Sequence, residues 1–456
     1  MNETLLTIIY FLIAILILVT VHEFGHYLAA IWTKTRAEIF SVGMGKRLFG
    51  WNKLDGFTIG DLKGEKDYGD HTDWRISLMP IGGYVKISGM VDESMEGSEN
   101  NLPPRPFEFR SKSALQKVFI LSAGVIFNII LAFIIFIGVN YSKHDTLYLT
   151  NKIGYVDPYS NAYKVGFRSG DEILSINNYQ PNSFQEAINL INRDNVGTDR
   201  NIILLSQDSE KSLFIPYDSI LKYISDSQPI EFLPESTHVI FGKPVEDGNA
   251  FKAGLAEGDT VKSVNGTPIR STSQFKLLVQ SNKNKTIDIS IIENGIERTV
   301  QTQVNSEGYI GIAIGSVFTG SKNYVNIPFG EAVKRGWDAT INMFRLFFQS
   351  IKQIFDGTIE AKKAIGGPIM IAKQAKVMGD LGWGSYLVFL ASLSISLAII
   401  NILPLPVLDG GHILIVLIEK IKGSELSENL KIRIQAAGMV LMFLLMAVIV
   451  FMDLTR

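Results

Sequence analysis

The sequence contains no cysteine among its 456 residues. That excludes disulfides, dithiol redox chemistry and thiolate metal sites. Any domain outside the cytoplasm must hold together by packing alone. Charge of one sign is not in excess either: 43 Lys and Arg against 45 Asp and Glu give a formal net charge of -2. Nothing in that balance predicts a nucleic-acid partner. The opening M-N-E-T lacks a basic residue, and the apolar run behind it is too long for a signal peptide. The mean hydropathy of +0.19 is high for a soluble chain and low for a wholly membranous one. It averages two kinds of segment.

Four apolar runs are long enough to span a hydrocarbon core of about 30 Å. They are Leu5–Ile31, Val118–Val139, Tyr386–Leu403 and Ile432–Met452. Between the first two lie Lys34, Arg36, Lys46, Arg47, Lys53, Lys63, Lys66, Arg75, Lys86, Arg105, Arg110, Lys112 and Lys117. Lys420, Lys422 and Lys431 lie between the last two. The positive-inside rule puts both loops in the cytoplasm, and both termini and the long middle region outside.

The middle region repeats itself weakly. S-N-A-Y-K-V-G-F-R-S-G-D-E-I-L-S-I-N-N is followed later by G-N-A-F-K-A-G-L-A-E-G-D-T-V-K-S-V-N-G. Ala162, Gly166, Gly170, Asp171 and Asn177 correspond to Ala250, Gly254, Gly258, Asp259 and Asn265. Glycines at fixed offsets predict turns of positive φ, and the alternating I-L-S-I and V-K-S-V predict strands. The pattern resembles the PDZ domain, which implies two α+β domains at 145–226 and 228–318. Such domains bind an extended peptide as an added strand, so a peptide ligand is possible; the alternative is simple shielding of the membrane site. A helix over 328–357 follows, with Trp337, Ile341, Phe344, Phe348, Ile351 and Phe355 on one face. It suits the surface of a lipid bilayer; an ordinary core-facing helix is the alternative.

The chemistry centres on V-H-E-F-G-H at 21–26. His22 and His26 share a helix face, so both can hold one metal, with Glu23 beside the attacking water. A catalytic zinc takes three protein ligands. Without cysteine, the third must be His, Asp or Glu. Asp409 stands in N-I-L-P-L-P-V-L-D-G-G-H, just past two helix-breaking prolines. A carboxylate at membrane depth is costly unless paired or bound to an ion. Asp409 reads either as the third ligand or as the N-cap of a last helical segment. His412, three residues on, is the rival ligand.

On these residues the chain resembles the site-2 protease family, in its bacterial RseP-type form with tandem PDZ domains. The matching stretches are H-E-F-G-H, P-I-G-G-Y-V-K at 80–86, F-R-S-K-S at 109–113, A-G-V-I-F-N at 123–128, G-G-P-I-M-I-A-K at 366–373 and N-I-L-P-L-P-V-L-D-G-G-H at 401–412. They run in order over nearly the whole length. Val125 departs from the family's usual proline, which leaves the shape of the second span open. The resemblance implies one Zn2+ held by His22, His26 and Asp409, with Glu23 as the base.

The implied architecture is a multi-pass α-helical membrane protein. It has four transmembrane helices, a cytoplasmic-side β-hairpin and two inserted domains. The first transmembrane helix with its motif takes 1–34, a loop with a membrane-associated hairpin 35–111, and the second helix 112–141. The last two helices with the L-D-G motif take 358–456. From Leu5 to His22 a helix rises about 25 Å, so the site lies toward the cytoplasmic side of a bacterial inner membrane. The stretch W-R-I-S-L-M-P-I-G-G-Y-V-K-I-S-G reads as two strands about a Pro-Ile-Gly-Gly turn. Its edge, at Gly82, Gly83 and Tyr84, could pair with an unwound substrate; a plain hairpin is the alternative. Asn401 could bond the substrate backbone or satisfy the broken helix beside Pro404. Asn128 could touch substrate or join helices.

The implied function is intramembrane proteolysis of single-span membrane proteins, with anti-sigma factors and signal-peptide remnants among the family's targets. Two other classes compete: a membrane metal-ion transporter and a catalytically inactive PDZ scaffold. One H-E-x-x-H site and no repeat among the spans argue against transport. Retention of Glu23 argues against a dead scaffold.

Overall fold

A computed structural model describes residues 3–62, 69–90, 103–192, 197–225, 228–357 and 366–455. Lys63 and Lys66, counted above for orientation, fall outside these residues. The chain divides into two compact units, Met1–Lys143 with Ile327–Arg456, and His144–Asn326.

The first unit contains four helices long and apolar enough to cross a membrane: Glu3–Trp32, Ala114–Tyr141, Trp383–Ile402 and Asn429–Leu454. Each contains the run expected of it, except that Leu403 falls just past the third. The first span ends where Lys34 turns left-handed at φ 55. The second opens with a capping box between Ser113 and Gln116 and runs unbroken through Val125. The first two spans touch at glycine. A Cβ on Gly25 would stand 2.5 Å from the carbonyl oxygen of Ala123. Small residues at such a crossing let two backbones approach closely in lipid.

Between these spans lies a curled antiparallel sheet. Strand Ala37–Asn52 pairs with Gly56–Ile59 and with Asp73–Ile87. The expected hairpin about Pro80–Gly83 does not form in that way. Phe40 faces Val85 on one side and Trp74 on the other, so the two arms of 73–87 flank residues 37–42 instead of each other. Two bends allow this: the first strand curls at Gly43 and Gly45, both at φ 86, and the 73–87 segment turns back between Ile76 and Gly83, with Gly82 at φ 82, around residues 37–42. The Gly83–Val85 arm is left at the sheet's edge. A fully buried ion pair fixes the curl: Arg47 meets Asp73 at 3.1 and 3.2 Å and also donates to the carbonyl of Gly60. Such bidentate pairs carry geometric specificity as well as energy.

In the second unit the repeat is structural. Gly170 and Gly258 adopt φ 96 and 94, and Asn177 and Asn265 both adopt φ 48. Asp171 accepts the amide of Arg168 at 2.8 Å, and Asp259 accepts that of Ala256 at 2.9 Å. Each copy has its own apolar core. Ile230 and Phe232 belong to the first core, and Leu233–Pro234 pairs with Ile153–Tyr155. The first domain therefore extends past the expected boundary at 226. Strand Lys322–Asn326 pairs with His144–Tyr148, tying the two ends of the inserted unit together.

Helix Phe329–Phe355 carries a second face that its aromatic stripe concealed. Ala332, Gly336 and Thr340 are buried, and a Cβ on Gly336 would meet Ile137 of the second span. Ala339, Met343, Phe344 and Phe347 pack on Ala132, Phe136, Ala391, Ile395 and Ile399. Of the stripe, Phe344 joins this core, while Trp337, Phe348 and Phe355 remain exposed. Large aromatic side chains dominate the helical periodicity, whereas small residues make the closest contact. Helix Pro368–Asp380 follows, its first amides capped by Asp453 at the end of the fourth span.

Candidate metal centre

Three elements build the site. The first span supplies His22 and His26 one turn apart, both buried. The second passes directly beneath: a Cβ on Gly124 would lie 2.5 Å from His26 Nε2 and 2.6 Å from His22 Cε1. Only glycine fits there without moving the rings. The third element is the break after Ile402. Leu403 is extended, Pro404 and Pro406 deny the helix its bonds, and Val407 turns left-handed at φ 83. Helix Asp409–Lys422 then begins, with Leu408 as N-cap and Asp409 as the first helical residue. Asp409 therefore does not cap the helix. Gly410 and Gly411 sit where a Cβ would strike the carbonyls of Ile402 and Leu405, which draws Asp409 toward the histidines.

His22 Nε2 lies 3.1 Å from Asp409 Oδ2, and His26 Nε2 lies 3.4 Å from Oδ1. The two Nε2 atoms are 3.2 Å apart. Ligands on a tetrahedral zinc, with bonds of about 2.0–2.1 Å to nitrogen, stand about 3.3 Å from one another. Asp409 Oδ2 is buried with no hydrogen-bond partner. Three donor atoms converging at that spacing fit a metal. Among the described residues, His22, His26 and Asp409 form the group that could hold one. His412 is not in it; it lines a cavity of about 250 Å³ with Arg110, Lys117, Glu419 and Lys431. His71, His144 and His238 lie elsewhere.

The remaining predicted residues divide. Asn401 Nδ2 stands 3.3 Å from His22 Nε2, at the centre itself. Asn128 Nδ2 stands 3.2 Å from His22 Nδ1, behind the ring. Glu23 Oε2 accepts the backbone N–H of Val85 at 3.0 Å, which brings the sheet edge to the motif. The strand meets the site through Gly83 and Val85, while Gly82 and Tyr84 turn toward Met44 and Arg75. Sequence reasoning missed Val85, Gly124 and Ile120, whose carbonyl lies 2.8 Å from His26 Nδ1. Gly124 at least stood inside the A-G-V-I-F-N stretch.

Residues 10–445 match the model of peptidase family M50. The chain belongs to this family. It is 31% identical to the protease RseP of Yersinia pestis and 30% identical to the regulator of sigma-E protease RseP of Escherichia coli (strain K12), over 98% of each chain. A relative from Neisseria meningitidis serogroup A, 30% identical over 99% of each chain, carries zinc metalloprotease in its name. Family M50 thus supplies a peptidase reading for the converged histidines and aspartate, and the four spans make this a membrane peptidase.

Proposed function

We propose that this M50 protein cuts single-span membrane proteins within or near their membrane segment, using one zinc ion held by His22, His26 and Asp409. The observation that carries this reading is the meeting of those three side chains, from positions 22, 26 and 409, with both histidines and Glu23 on a helix apolar enough to cross a membrane. Zinc is the cofactor: a donor set of two imidazoles and a carboxylate with no sulfur suits it, and relatives are named for it. When bound, the ion activates water and polarises the scissile carbonyl.

Glu23, next to His22 in the motif, would take the water's proton and return it to the leaving amine. Its carboxylate is held by the Val85 amide, so the base and the sheet edge move together. A substrate in lipid arrives as a helix, because its amides have no other partners there. Cleavage needs an extended segment. The edge at Gly83–Val85 would receive one as an added strand through the backbone groups that Glu23 does not occupy. Asn401, facing the centre, would bond that strand's backbone. The exposed Trp51, Phe57, Ile59 and Leu78 of the same sheet favour a seat against the bilayer. The basic loops put this side in the cytoplasm and the inserted unit outside. The duplicated domains there would act as PDZ modules, screening substrates by size or reading a peptide end. Anti-sigma factors and signal-peptide remnants are the substrate classes proposed, in line with the relatives named as regulators of sigma-E.

The test uses detergent-purified full-length protein, a tagged single-span substrate with a short outer part, and Glu23→Gln. The wild type should cut, and the variant should lose about 10²–10⁴-fold in rate with its zinc retained. Equal behaviour of the two proteins, both zinc-loaded, would favour transport or scaffolding instead.

A further inference from the structure

The two imidazoles are braced differently. His26 Nδ1 lies 2.8 Å from the carbonyl oxygen of Ile120, which accepts its proton. That leaves Nε2 bare for a metal. Among the described residues no backbone carbonyl bonds His22 Nδ1; its neighbour is the side-chain amide of Asn128, with Nδ2 at 3.2 Å. Asn128 is completely buried, and its Oδ1 has no hydrogen-bond partner. Its backbone is fixed separately, since Ser394 Oγ donates to the Asn128 carbonyl at 2.8 Å.

The chemistry of the ring dictates what Asn128 must do. A histidine that binds metal through Nε2 carries its proton on Nδ1, and that proton needs an acceptor. The amide carbonyl is one. A half turn about the last bond of the Asn128 side chain puts Oδ1 where Nδ2 stands, within the same volume. In the turned state Oδ1 accepts from Nδ1–H; in the present one Nδ2–H donates to a bare Nδ1. The amide therefore serves both tautomers of His22.

We propose that Asn128 is the positioning residue of His22: its Oδ1 accepts Nδ1–H, selects the tautomer and aims Nε2 at the metal. This rests on the reading of His22, His26 and Asp409 as the zinc site. It sets aside both roles considered from the sequence, substrate contact and helix joining. Substrate contact falls to Asn401, on the metal side of the ring. Helix joining falls to the Asn128 backbone.

The experiment measures zinc affinity of the full-length protein in detergent by competition with a chelating dye, and thermal unfolding with and without zinc. Loss of such an outer partner weakens metal binding about 10–100-fold. Asn128→Leu should show that loss, with a smaller zinc-induced rise in unfolding temperature than the wild type. Asn128→Asp, which keeps an acceptor, should bind within a few-fold of the wild type or more tightly. Wild-type affinity in Asn128→Leu overturns the proposal. So does an equal loss in both variants, which would mean that shape, not acceptance, matters. His22→Ala separates the two readings: if it binds zinc as well as the wild type, the zinc-site assignment itself fails.

Discussion

The two units of this chain are organised in opposite ways. The inserted unit is built from a local motif used twice, with each turn closed by residues a few positions apart. The membrane unit is built from contacts between distant residues: His22 meets Asn128, Asn401 and Asp409. A local motif can be duplicated and drift while each copy still closes its own turn. A distant constellation has no such redundancy, and a small change in one span displaces the whole centre. Function in this molecule lies where redundancy is lowest.

The largest effect that would sharpen this contrast comes from one methyl group. Gly124→Ala places a Cβ 2.5 Å from His26 Nε2 and 2.6 Å from His22 Cε1, where real Cβ atoms do not sit. The rings must move, and the ligand geometry with them. The purified variant should retain far less than the one zinc per chain of the wild type, by metal analysis, and cleave no better than Glu23→Gln. Normal zinc content would show that the spans part easily at this crossing, and that the centre is less rigid than the packing implies.

The same contrast governs how much was legible in the sequence. The four spans were readable because lipid demands long apolar runs. The repeat was readable because positive-φ turns restrict residue type, so Gly170, Asn177 and their counterparts survive as a pattern. The meeting of His22 and His26 was readable from helical spacing. Asp409 was not fixed by the residues alone: Asp as ligand and Asp as cap look alike until the L-D-G resemblance or the Leu408 N-cap decides. The chain does turn back near P-I-G-G, with Gly82 at φ 82, but its arms were misread as partners of each other: residues 37–42, freed to curl by Gly43 and Gly45, lie between them. Strand partners are a non-local property, and alternation within one segment does not name them.

A middling effect should separate the two copies of the repeat. Asp171 accepts from the Arg168 amide and from Ser206 Oγ at 2.7 Å, while Asp259 accepts from the Ala256 amide with Arg298 Nη2 at 3.9 Å. Both carboxylates are buried. Asp171→Ala and Asp259→Ala each strand a backbone N–H, at a cost of about 1–3 kcal/mol. Asp171→Ala should cost more, since it also strands Ser206. Hydrogen exchange in the full-length protein should show faster exchange at Arg168 in one variant and at Ala256 in the other. Zinc content should not change in either. Altered zinc binding would mean that the units are coupled energetically, and the contrast drawn above would fail.

The smallest effect concerns a rule that the repeat's matched turns obey and the turn before Asp409 breaks. At the repeat's turns the left-handed positions belong to Gly and Asn, which tolerate them. In the membrane unit the left-handed residue before Asp409 is Val407, at φ 83, the one β-branched residue in that region among the described residues. Such a conformation costs about 1–3 kcal/mol and persists only where its surroundings force it. Here the forcing elements are Pro404 and Pro406 on one side and the close-packed Gly410 and Gly411 on the other. Val407→Gly removes the strain but adds about 0.5–1 kcal/mol of chain entropy to be lost on folding. The two terms nearly offset, so unfolding temperature should rise slightly or stay level, with zinc content unchanged. A clear destabilisation would show that the Val407 side chain contributes packing worth more than the strain. The strained turn would then be held by its own side chain as well as by its neighbours.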